Sequence, residues 1–133
     1  PSFRFPDAFD AGAVDGFLEV FEGSGANWSY VRPGGARPFG VVETAEKREI
    51  SNLCCTGLYH FGRAGLFAAA YATQERLSAG ELQGGELYVA PLYNELIRVG
   101  RDIRYALIRK DDVIFCGVPN EYEELLARPY QRR

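Results

Sequence analysis

Glu46 and Lys47 stand side by side in a polar stretch of the chain. Together they carry what recognition of a phosphorylated sugar needs, an acceptor for hydroxyl groups and a compact cation for phosphate. Neighbours on a regular strand point to opposite faces, so the pair can serve one ligand only from an irregular segment. A solvated surface ion pair is the competing account of the same two residues. Gly40, a few positions earlier, either lets a backbone approach a ligand or marks a bulge or turn. Thr56-Gly57 interrupts an otherwise apolar run, where glycine loses packing and marks close approach of a ligand or of another backbone. Tyr59 and His60 then face opposite sides, and the solitary His60 fits a hydrogen-bonded core or surface residue better than a catalytic base.

The other reactive side chains argue mainly by exclusion. Cys54, Cys55 and Cys116 are odd in number and two are adjacent, so no disulfide framework follows; buried, reduced thiols are expected. There is no C-x-x-C and one His, which speaks against a zinc site. No Ser-His or Cys-His arrangement stands out, and a small enzyme using Cys54 or Cys116 with His60 is the weakest reading.

The elements that must hold these residues follow from pattern. Residues 1–12 show no periodicity and read as an entry segment. Residues 14–21, 27–31 and 39–42 are apolar or β-branched enough for strands, separated by turns at Gly23-Ser24-Gly25 and Pro33-Gly34-Gly35. Residues 45–52 are polar, and 53–61 form the best central strand, bounded by Gly62. Residues 63–77 have helical spacing of Leu66, Phe67, Ala70, Tyr71 and Leu77, followed by a loop over 80–85. Residues 90–99 form a second helix closed by Gly100. Strands over 103–108 and 113–116 flank a turn at Asp111-Asp112, and a last helix starts near Pro119, with Glu121, Glu123 and Glu124 at its positive end. Strands and helices interleave, so the class is α/β with a mixed sheet and flanking helices.

At 133 residues, with 47% hydrophobic and 25% charged, the chain suits one domain that buries roughly two thirds of its unfolded surface. A net charge of −3 gives no positive field for a phosphate polymer, so nucleic acid is not expected as a partner. The short basic tail Arg128, Arg132, Arg133 reads as a solvated terminus. No run reaches the length of a membrane span, and a cytoplasmic location follows. The chain opens on Pro1 and reads as part of something longer.

In order, Phe39-Gly40-Val41-Val42-Glu43, then Glu46-Lys47, then Thr56-Gly57-Leu58-Tyr59 resemble the C-terminal half of sugar-phosphate nucleotidyltransferases of the glucose-1-phosphate thymidylyltransferase type. The run from Gly85 to Asn94 is similar to a nucleotidyltransferase group of capsule and lipopolysaccharide biosynthesis, and Gly117-Val118-Pro119 resembles the element that ends the catalytic domain. The resemblance implies a partial glycosyltransferase-A-like fold in which residues 1–133 form the acceptor-phosphate-binding portion. It implies that Gly40 and Glu46 meet the sugar, Lys47 its phosphate, and Thr56 and Gly57 line the same site. Pro91 stands where the family places a Mg²⁺-binding Asp, which leaves Glu86 as a substitute ligand. The family's Gly-rich triphosphate loop has no counterpart in these residues.

The expected activity is therefore that of a larger enzyme, which joins a nucleoside triphosphate to a sugar phosphate with release of pyrophosphate and uses Mg²⁺. The chain alone is expected to be inactive, and to pair with the missing N-terminal half or with itself. A non-catalytic binding or assembly module that keeps half of the fold is the alternative.

Overall fold

The computed structural model describes residues 4–128; the first residues of the entry segment and Arg132 and Arg133 of the basic tail lie outside them. Five strands, β1 (Gly16–Glu22), β2 (Ser29–Pro33), β3 (Val41–Glu46), β4 (Leu53–Phe61) and β5 (Ile103–Leu107), form one sheet in the order β3-β2-β4-β1-β5. β1 and β5 run parallel and the other pairs antiparallel, so the sheet is mixed. Three α-helices, α1 (Ala64–Gln74), α2 (Val89–Arg98) and α3 (Pro119–Ala127), complete an α/β fold.

β1 and β4 lie in the interior of the sheet, and most of β1 and the first three residues of β4, Leu53 to Cys55, are buried on both faces in the manner of interior strands. One face carries Leu18, Val20, Leu53 and Cys55 against Leu92, Tyr93 and Leu96 of α2 and Leu66 and Ala70 of α1. On the other face, Phe17 packs with Val14 and the partly buried Phe9, and Phe21 with Tyr30 and Cys54. The adjacent cysteines therefore enter different clusters, as strand alternation requires.

Side chains lock α2 onto the edge strand. Asn94 donates to Thr44 O at 2.9 Å and accepts from Thr44 N at 2.8 Å, while Thr44 Oγ1 donates to Ala90 O at 2.6 Å. Asn94 thus gives β3 the two bonds that a further strand would have supplied. Tyr93, fully buried, donates to His60 O at 2.8 Å. The helix ends as expected at Gly100 (φ +80°): Gly100 N donates to Ile97 O and Arg101 N to Leu96 O, both at 3.0 Å.

Several expectations need correction. The third strand occupies Val41–Glu46 rather than 39–42, because pairing with β2 extends to Ser29 opposite Glu46. Residues 113–116 are not a strand; no neighbouring edge takes them, and they are held by Phe115, whose ring packs 5.2 Å from Phe21 and 5.3 Å from Trp28. Cys116 is accordingly exposed, whereas Cys54 and Cys55 are buried. α1 stops at Gln74, and the loop after it tightens into a single turn at Gln83–Gly85. No helix among the described residues is long and apolar enough to cross a membrane.

Candidate functional site

The site forms where β3 ends. Glu46 is its last residue, and Lys47 follows with φ +54°, a left-handed conformation that non-glycine residues seldom adopt. That twist breaks strand alternation, so the two neighbouring side chains need not point to opposite faces. Lys47 N still donates to Trp28 O at 3.0 Å, which holds the bend against β2.

Three elements distant in sequence converge on the pair. From β2, Ser29 donates its hydroxyl to Glu46 Oε2. From β4, Tyr59 donates to Ser29 Oγ at 3.4 Å. From the turn over 83–85, Gln83 Oε1 accepts from Glu46 N at 2.8 Å. Lys47 Nζ donates to Tyr88 Oη at 2.7 Å and lies 4.8 Å from the centre of that ring. The turn comes this close because Gly84 has φ +69°; a Cβ there would stand 3.0 Å from the Tyr88 ring and 3.8 Å from Glu46 Cγ.

Electrostatics reinforce the arrangement. The bond to Tyr88 raises the Lys47 pKa above its ordinary value, with Glu46 and Glu86 adding to the shift, so the ammonium is fully charged at neutral pH. Burial, aided by Cys54 and Glu46, pushes the neighbouring Cys55 thiol up to about 12. It is not a nucleophile. Burial likewise raises Tyr59, which stays a neutral hydroxyl. The cluster can therefore present a fixed cation, a carboxylate and neutral hydroxyls to one ligand.

The remaining candidates do not join this cluster. Gly40 lies at the opposite end of β3, where it bridges to Arg104 of β5. A Cβ on it would meet Gly34 O at 2.5 Å, so close approach by its own hairpin accounts for the glycine. Thr56 and Gly57 form a bulge, since three β4 residues (56–58) stand opposite Glu19 alone between the pairs Leu18–Tyr59 and Val20–Cys55. Thr56 Oγ1 donates to Glu19 Oε1 at 2.8 Å, on the sheet face away from α2, whereas Glu46 lies on the α2 face. His60 stacks on Phe17 with ring centres 4.8 Å apart. Glu86 is exposed near Lys47, but among the described residues no three His, Cys, Asp or Glu side chains gather to hold a metal ion. Pro91 is buried in α2 and offers no ligand atom.

Reasoning from sequence missed Ser29, Tyr59, Gln83 and Tyr88 as members of the cluster. The one local sign was Gly84-Gly85, whose freedom at positive φ lets a loop turn back over the sheet.

No family model matches the chain. No curated protein matches it either. Among solved structures, it is similar to the nucleoside-diphosphate-sugar pyrophosphorylase from Vibrio cholerae RC9, with 50% identity and a TM-score of 0.86 over 96% of this chain and 52% of that one. The chain therefore spans about half the length of the pyrophosphorylase it resembles, and nearly all of this α/β fold is shared with that half.

Proposed function

We propose that the chain is the C-terminal, acceptor-holding part of a nucleotidyltransferase that joins a nucleoside triphosphate to a sugar phosphate or a similar phosphorylated metabolite. In that reaction an acceptor phosphate oxygen bonds to the α-phosphorus as the bond to the pyrophosphate leaving group breaks. Lys47 neutralises and orients the attacking phosphate; Glu46, steered by Ser29, accepts hydroxyls of the organic part. Two observations support this reading: Glu46, Lys47, Ser29 and Tyr88 converge at one strand end, and the fold is like that of a pyrophosphorylase. The run from Gly85 to Asn94 favours precursors of capsule or lipopolysaccharide, made in the cytoplasm. The described residues contribute no complete metal site, and the binding step here is assigned to none.

Calorimetric titration with glucose 1-phosphate tests the proposal. Saturable binding should weaken about tenfold or more in Lys47→Ala, the loss of one charge-assisted contact. A folded sample that takes up no sugar 1-phosphate would favour a non-catalytic module instead.

The same reading requires a partner that carries the triphosphate site, or a second copy of the chain. α3 buries none of its residues and leaves Tyr122 and Leu126 exposed at 53% and 67%, although nine residues are too few for a stable isolated helix. α1 has no charged residue from Ala64 to Gln74 and exposes Phe67 and Tyr71. Such surfaces mark docking faces. Sedimentation of the isolated chain should show association, and a monodisperse monomer across micromolar concentrations would count against the partner.

A further inference from the structure

At the Gly40 end of β3, far from Lys47, four arginines share two carboxylates. Asp102 is consumed by Arg104, which donates Nε to Oδ1 at 2.6 Å and Nη2 to Oδ2 at 3.0 Å, and whose third nitrogen goes to Pro38 O at 2.7 Å. Arg37 is left 3.9 Å from the same carboxylate. Asp15 accepts the Asp102 N–H at 2.8 Å through Oδ2, and its other oxygen lies 3.7 Å from Arg101 and 3.9 Å from Arg63. Those three distances exceed hydrogen-bonding range, so three guanidinium groups keep free donors. Among the described residues these four arginines form ion pairs with Asp15 and Asp102 alone. The island carries an excess of two positive charges on a chain whose net charge is −3.

A cavity of about 350 Å³ opens on this island. Residues 34–37 of the β2–β3 connection form one wall, Gly100 and Arg101 the other, and Val41, Ile97 and Ile103 give it an apolar floor. Two of the α2 carbonyls at this end, those of Ile97 and Leu96, accept from Gly100 N and Arg101 N, which offsets part of the negative helix end that the arginines face.

We infer that this cavity is a second anion site, in which Arg37 and Arg101 hold the dianionic phosphate group of a small, partly apolar monoester. Two positive charges in excess match one dianion, guanidinium forks match phosphate oxygens, and the floor takes the ester's carbon part. The site is separate from the Lys47 cluster and does not depend on the reading given to that cluster.

The test is a titration of the ¹⁵N-labelled chain with inorganic phosphate, followed by amide spectra, with chloride at matched ionic strength as control. Saturable shifts are expected at residues 34–37 and 100–102, unchanged in Lys47→Ala and weakened at least tenfold in Arg37→Gln/Arg101→Gln. Glycerol 2-phosphate should bind more tightly than free phosphate if a monoester is the ligand; equal affinity would assign the site to inorganic phosphate. Shifts that do not saturate, that chloride reproduces, or that survive in the double variant would overturn the site. Should the double variant lose its dispersed spectrum, Arg37→Gln alone, which removes a 53% exposed side chain, carries the same reading with a smaller loss.

Discussion

β3 carries polar groups at both ends, and the two ends satisfy them by opposite means. At Glu46 the carboxylate, a hydroxyl and a backbone N–H find neutral partners in Ser29, Tyr59 and Gln83, and one ammonium rests on Tyr88. At Gly40 the chain gathers guanidinium groups around too few carboxylates. The first end is internally complete and poised to exchange weak contacts for those of a ligand; the second leaves donors in search of an acceptor. Between them, Thr44 and Asn94 fix the strand to α2, so a ligand at one end meets a rigid support and need not disturb the other.

The largest effect that separates the ends comes from pH. The Glu46 end rests on buried weak acids: burial lifts Cys55 from 9.0 to about 12 and raises Tyr59 and Tyr93 as well. A folded-state pKa above the unfolded one means that the native chain keeps protons the unfolded chain releases. The associated stability is therefore complete below pH 9 and falls as pH rises toward 12. Cys55 alone should remove about 2 kcal/mol between pH 9 and 11. The Gly40 end depends on arginines, which stay charged throughout. Thermal unfolding measured at pH 8, 9, 10 and 11 should show a falling midpoint, with a shallower fall in Cys55→Ala. A midpoint independent of pH over that range would contradict the assignment.

The contrast also explains what could be anticipated from sequence. β4 matches its expected bounds because a mostly apolar run flanked by Gly62 leaves few alternatives even with Thr56-Gly57 inside it, and α2 ends where Gly100 takes a left-handed conformation. Glu46 and Lys47 could be named as candidates because a carboxylate and an ammonium adjoin in the sequence and because their place in the order of motifs resembles that of a nucleotidyltransferase. Ser29, Gln83 and Tyr88 were not, since each arrives by a long-range pairing or a loop return with no local periodicity. The segment 113–116 misled for the same reason: an apolar run specifies a strand only when a neighbouring edge is free to take it. Gly40 and Gly57 were placed in a ligand site by the family resemblance, while their residue type left a bulge, turn or packing cause equally open, and the structure gives each such a mechanical cause.

Those two glycines supply the finest test. Gly40 has an ordinary φ but no space, for an added Cβ would meet Gly34 O at 2.5 Å and Arg37 O at 3.0 Å. Both atoms are backbone, so Gly40→Ala must open the hairpin that walls the arginine cavity, at a cost of about 2–3 kcal/mol. Gly57 has space but the wrong φ: nothing lies within 4 Å of its Cβ position, yet φ is +102°. Gly57→Ala should lose about 1 kcal/mol through backbone strain. Chemical denaturation of the two variants should reproduce this order, and neither should alter the affinity for glucose 1-phosphate by more than about twofold, because neither glycine touches the Lys47 cluster. If Gly57→Ala abolished sugar-phosphate binding while the fold survived, the bulge would belong to the ligand site after all, and the division of β3 into a complete end and an unsatisfied end would have to be redrawn around β4.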